Sequence, residues 1–72
     1  MATLDLSGYR MIAKRSGHQT YIAIRPAMQG AAAVGDTLIL REGEAYRVTR
    51  VSDPYMTKGG AQDVTLYLEE VR

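Results

Sequence analysis

A run of alternation from Gly35 to Val51, GDTLILREGEAYRVTRV, restricts this chain more than any other stretch. Leu38 and Leu40 alternate with Thr37, Ile39 and Arg41, while Tyr46 and Val48 alternate with Ala45, Arg47 and Thr49. Successive side chains on a strand point to opposite faces, so a period of two describes two half-buried strands. Between them, Arg41-Glu42-Gly43 forms a three-residue loop whose last position favours the left-handed conformation, which glycine adopts without steric cost. That loop closes on Leu40 opposite Glu44 and sets Leu38 opposite Tyr46, both toward a core. A two-residue loop at Glu42-Gly43 would instead oppose Leu38 to Arg47, because an odd slip turns every side chain over. Val51 falls on the opposite parity to Val48. Either the strand bulges near Thr49-Arg50 or Val51 leaves the core face.

The flanking sequence extends the same pattern. Leu4 and Leu6 alternate with Asp5, so residues 1–7 form an arm able to add to a sheet, and Gly8 allows a bend. Residues 9–15 read as a strand with Tyr9, Met11 and Ala13 on one face, and residues 18–25 as its partner with Thr20, Ile22 and Ile24 inward. A two-residue turn at Ser16-Gly17 pairs Met11 with Ile22 and Tyr9 with Ile24. Pro26 ends the second strand, having no N–H for a ladder. Residues 27–34 read as a loop with one short helical turn, interrupted by Gly30. Ser52-Asp53-Pro54 is a turn, residues 55–63 a polar loop around Lys58-Gly59-Gly60, and residues 64–71 a last strand with Val64, Leu66 and Leu68 inward. The expectation is an all-β single domain over residues 1–72: a small antiparallel sheet of five to six strands, curled or closed as an SH3-like barrel, since closure removes exposed edges. An OB-like barrel fits less well, because its usual helix has no place here.

A chain of 72 residues without cysteine has no disulfide, thiolate or cysteine-metal chemistry open to it. Its core is thin, so either that core suffices alone or an oligomer supports it. Nine lysines and arginines against eight acids give too weak a field to imply nucleic acid by itself. No basic stretch followed by an apolar one opens the chain, and no apolar run approaches the roughly 20 residues of a membrane span. The expectation is a soluble cytoplasmic protein, without a membrane partner.

No residues converge on catalysis. His18, the single histidine, sits at a turn with Ser16 nearby but no third group to orient it as a base. One histidine and scattered carboxylates give no metal-ligand spacing, and the pairs Glu42 with Glu44 and Glu69 with Glu70 read as solvated turn and strand ends. Lys58-Gly59-Gly60 lacks the strand-to-helix context of a phosphate loop. The expectation is therefore a non-enzyme with no catalytic residues, no metal and no cofactor.

What remains is surface. The outer side of the first hairpin offers Arg10, Lys14, Arg15 and Arg25 around Tyr21, with Ile12 beside that ring. An apolar pair ringed by arginines resembles a protein-interaction patch, since tyrosine and arginine are enriched there. The partner-binding residues are thus Arg10, Ile12, Lys14, Tyr21 and Arg25, with loops 26–35 and 52–63 as secondary surfaces. The same cations around an aromatic suit a nucleic-acid-binding barrel as the alternative. A small inhibitor of a host enzyme needs no more than such a surface and is a further alternative.

The pattern Gly35-Asp36-Thr37-Leu38-Ile39-Leu40, then Gly43, Tyr46-Arg47-Val48, a turn at Asp53-Pro54, and Val64-Thr65-Leu66-Tyr67-Leu68 resembles the small phage head–tail connector, or head-completion, β-barrel proteins. The resemblance covers residues 35–72. It implies a structural or adaptor protein of a virion, forming rings, whose partners are its own copies and neighbouring virion proteins. It supplies no catalytic residues.

Overall fold

A computed structural model of the protein describes residues 1–71, with the side chain of Glu42 outside the description. The chain is all-β. Its strands are β1 (Thr3–Asp5), β2 (Lys14–Ser16), β3 (Gln19–Ile24), β4 (Thr37–Ile39), β5 (Ala45–Val51), β6 (Tyr55–Met56) and β7 (Gln62–Glu70). Six of them hydrogen-bond in the order β1-β4-β5-β7-β3-β2, and β6 pairs with β7. The sheet is open: β1 and β2 are its two edges, and closure into a barrel does not occur. All pairs are antiparallel except β1 with β4, which is parallel.

The central hairpin has the expected register. Leu38 lies opposite Tyr46, and the Leu40 N–H donates to the Glu44 carbonyl at 2.8 Å. Gly43 closes the loop at φ 74°, the left-handed position that favours glycine. The bulge is also present. Val48 opposes Leu68 and Val51 opposes Leu66, with the register shifting between Val48 and Arg50. One extra residue restores the parity of Val51, which packs against the core.

The first hairpin differs from expectation. Its turn is Gly17-His18, and Ser16 pairs with Gln19, Arg15 with Thr20, and Lys14 with Tyr21. Gly17 has φ 62° and His18 a negative φ, the arrangement of a type II′ turn with glycine first. β2 is three residues long because Ser7–Tyr9 coil into a 3-10 turn and Arg10 adopts the left-handed region at φ 56°. Tyr9 and Met11 therefore lie outside the sheet and do not pair with Ile24 and Ile22. Lys14, not Ile12, stands beside Tyr21.

Pro26 ends β3 as expected and opens the helical turn Pro26–Gln29, where its missing N–H costs nothing. Residues 55–63 are a short hairpin arm, not a plain loop: Tyr55 pairs with Asp63 and Met56 with Gln62, so β7 starts at Gln62. The N-terminal arm joins the sheet through β1. Asp36 holds it: the Ala2 N–H donates to Oδ1 and the Ala33 N–H to Oδ2, both at 2.9 Å. These bonds, that from Ala2 foremost, keep the Asp36 carboxyl below the usual aspartate range.

The core is one cluster of Leu6, Ile22, Ile24, Leu38, Leu40, Val48, Val64, Leu66 and Leu68. Every central strand contributes its inward positions to it. Leu4, Met11, Ala13 and Ala32 cover its margin, and the Tyr9 hydroxyl donates to the Met28 carbonyl at 2.9 Å, tying the 3-10 segment to the helical turn. Among the described residues no helix is long and apolar enough to cross a membrane.

Candidate functional site

Burying alternate residues leaves the other parity outside. On β7 that set is Asp63, Thr65, Tyr67 and Glu69; on β3 it is Tyr21 and Ala23, with Arg25 just beyond. The register puts Tyr21 directly opposite Tyr67 and Ala23 opposite Thr65. Lys14 on β2 lies opposite Tyr21, and Arg50 on β5 pairs with Tyr67. A single row thus crosses four strands in the order Lys14, Tyr21, Tyr67, Arg50: two tyrosines at the centre, a cation at each end.

The bulge builds the Arg50 end of this row. Thr49 and Arg50 together occupy the space opposite Tyr67. Thr49 donates its hydroxyl to the Tyr67 carbonyl at 3.1 Å, and the Arg50 guanidinium lies 4.0 Å from the centre of the Tyr67 ring. Such a stack contributes about 0.5–1 kcal/mol at an exposed site and fixes both side chains. A shallow depression of about 410 Å³ lies beside the tyrosines, lined also by Ser16, Gln19 and Thr65. On one side of the row Arg47 opposes Glu69. On the other, Arg25 donates from Nε to Asp63 Oδ1 at 3.0 Å, and the Tyr55 and Thr65 hydroxyls meet at 3.2 Å.

The structure brings Lys14 and Tyr21 together and keeps Arg25 on the same face, already engaged by Asp63. Ile12 is 54% exposed but lies in the extended connection before β2. Arg10 is exposed in the left-handed turn, off the sheet. Tyr67 and Arg50 are central to the face and absent from the sequence-based set. The outward parity of Tyr67 and the bulge at Thr49-Arg50 were both readable signals. What was not readable was that β7 lies between β3 and β5, which makes Tyr67 the neighbour of Tyr21.

The two secondary loops do meet. Pro26 and Ala27 from one, and Pro54, Ala61 and Gln62 from the other, line a cleft of about 440 Å³ with Arg25 and Val64. Met28 and Met56 stand exposed on these two loops. His18 is exposed at the turn between β2 and β3. The pairing of Glu42 with Glu44 falls outside the described side chains. No family model matches the chain, and neither a curated protein nor a solved structure is significantly similar to it.

Proposed function

We propose that this chain is a non-enzymatic protein-interaction module that docks a partner on the outer face of its sheet. The row Lys14–Tyr21–Tyr67–Arg50 carries the reading. Aromatic and arginine side chains dominate protein contacts because they bring large area and directed polar groups at few rotatable bonds. Here strand pairing holds the tyrosines and the Arg50 stack restrains the cation, so a partner pays less to order them. The likeness of residues 35–72 to head–tail connectors supports a structural or adaptor role in a virion as the setting.

The test is the double variant Tyr21→Ala, Arg50→Ala, checked for folding by circular dichroism. The expected result is loss of whatever protein co-purifies with the wild-type chain in its native source. Retention of every such interaction and of the assembly state overturns the proposal. A second reading, a single-stranded nucleic-acid platform, is favoured by the tyrosine pair lying between two cations. Salt separates the two, since a run of phosphate contacts makes affinity fall steeply with ionic strength, whereas a contact resting on a tyrosine pair and two cations falls less.

A further inference from the structure

We infer that the partner of this face is an acidic protein surface, and not a second copy of the chain bound face to face. This rests on the module reading above and names the partner's chemistry. Among the described residues, Arg25 is neutralised by Asp63 and Arg47 stands across from Glu69. Lys14 and Arg50 remain at the two ends of the row, each without an ion-pair partner among the described residues. Three inter-strand gaps separate them, roughly 14 Å at the usual strand spacing.

Two-fold self-pairing fails on this arrangement. An axis between Tyr21 and Tyr67 stacks tyrosines on tyrosines, but it lays Lys14 of one copy on Arg50 of the other, at both ends. Like charges brought together across an interface oppose that partner. A different protein that carries a carboxylate at each end, and an aromatic or apolar side chain between them, meets complementary charge throughout. Ser16, Gln19 and Thr65 offer it hydrogen-bonding groups in the depression beside the tyrosines.

The same map disfavours a polynucleotide. Glu69 lies beyond the row along β7 in one direction and Asp63 in the other, so carboxylates bound the row on both sides. Individual carboxylates fit such a row. A phosphate backbone laid along the strands runs onto a carboxylate at either end.

The experiment measures fluorescence anisotropy with three probes: a random copolymer of glutamate and tyrosine, a random copolymer of lysine and tyrosine, and a 15-nucleotide oligothymidylate. Each is titrated with the full chain and with Lys14→Glu, Arg50→Gln and Tyr21→Ser, all verified as folded by urea melts. The glutamate–tyrosine copolymer is expected to bind the wild-type chain. Lys14→Glu should weaken it about two- to fivefold, the scale of one exposed charge interaction, and Arg50→Gln, which keeps bulk and removes charge, should weaken it as well. Tyr21-dependent binding of the lysine–tyrosine copolymer in its place overturns the acidic assignment while leaving the face as an interaction surface. Tighter, steeply salt-dependent binding of oligothymidylate overturns it in favour of nucleic acid. A solution mass of twice 7.9 kDa that falls to the monomer in Tyr21→Ser overturns it in favour of self-association. If none of the probes binds, the acidic assignment is overturned, and the double variant in the native source still decides the module reading independently.

Discussion

Deleting Thr49 should leave this fold standing, whereas deleting Arg47 should remove a large share of its stability. Val48 opposes Leu68 and Val51 opposes Leu66, with both Thr49 and Arg50 facing Tyr67. Without Thr49 the strand alternates regularly: Val48 in, Arg50 out, Val51 in. No core residue changes face. The losses are the Thr49–Tyr67 hydrogen bond, about 0.5–1.5 kcal/mol, and at most the Arg50–Tyr67 stack, about 0.5–1 kcal/mol. The sum is at most about 2.5 kcal/mol. Deleting Arg47 is different, because it forces an odd slip on one side of the gap. Either Tyr46 and its contact with Leu38 turn outward, or the wholly buried Val48 does. Exposing such a side chain costs about 1.5–3 kcal/mol, and the slip that turns Val48 outward carries the Thr49 hydroxyl into the core, about 1–3 kcal/mol more. A domain this size has a total stability of about 4–11 kcal/mol at 0.05–0.15 kcal/mol per residue. Urea melts followed by circular dichroism separate the cases. With a slope near 1 kcal/mol/M, removing Thr49 should lower the midpoint by less than about 2.5 M. Removing Arg47 should lower it by about 2.5–6 M, enough to abolish the transition at the low end of that stability range. Equal damage from the two deletions would show that the bulge, rather than face parity, governs β5.

Leu66→Ala, at the fully buried centre of β7, should cost about 2–5 kcal/mol in the same melt. Arg25→Ala should cost less than about 1 kcal/mol, because the ion pair with Asp63 is half open to water, with the Arg25 side chain 41% exposed. Gly43→Ala should cost about 1–2 kcal/mol: an added Cβ meets open space, but φ is 74°. Gly8→Ala, also facing open space and without a positive φ, should be neutral or stabilising by up to about 1 kcal/mol. Asp36 has its folded pKa lowered by the bonds from Ala2 and Ala33, so the stability it gives is present above the unfolded value and lost as pH falls through the folded one. Hydrogen exchange at the Ala2 and Ala33 amides should therefore accelerate as pH drops below about 4, measured against the intrinsic rate at each pH. Asp36→Asn should abolish that dependence.

The central hairpin was legible because its constraints were local and of odd parity. A wrong loop length would have put Leu38 against Arg47, so alternation and Gly43 together left one register. The first hairpin slipped for the complementary reason. Moving its turn from Ser16-Gly17 to Gly17-His18 shifts the pairing by two residues, and an even shift leaves every side chain on its own face. Agreement of apolar parity could not tell the two registers apart; the conformation of Gly17 did. The shortening of β2 was hidden too, since Tyr9, Met11 and Ala13 alternate as a strand would, yet Gly8 and Arg10 permit the 3-10 turn that takes them off the sheet.

Strand order was the information the alternation did not hold. Which outward residues become neighbours depends on long-range pairing, and that depends on how a thin core is covered on all sides. Once the arm at Leu4 and Leu6 docks in parallel on β4, the Leu-rich last strand takes the position that buries the most, between β3 and β5. Val64, Leu66 and Leu68 then complete the core from the middle of the sheet. The consequence on the outside is unavoidable: the residue between Leu66 and Leu68 must face out, and its neighbours are the outward residues of β3 and β5. Tyr67 therefore sits between Tyr21 and the bulged Arg50. One residue inserted at Thr49-Arg50 keeps Val51 in the core and also sets that cation on the aromatic row, so the stability of β5 and the chemistry of the face share a single structural cause.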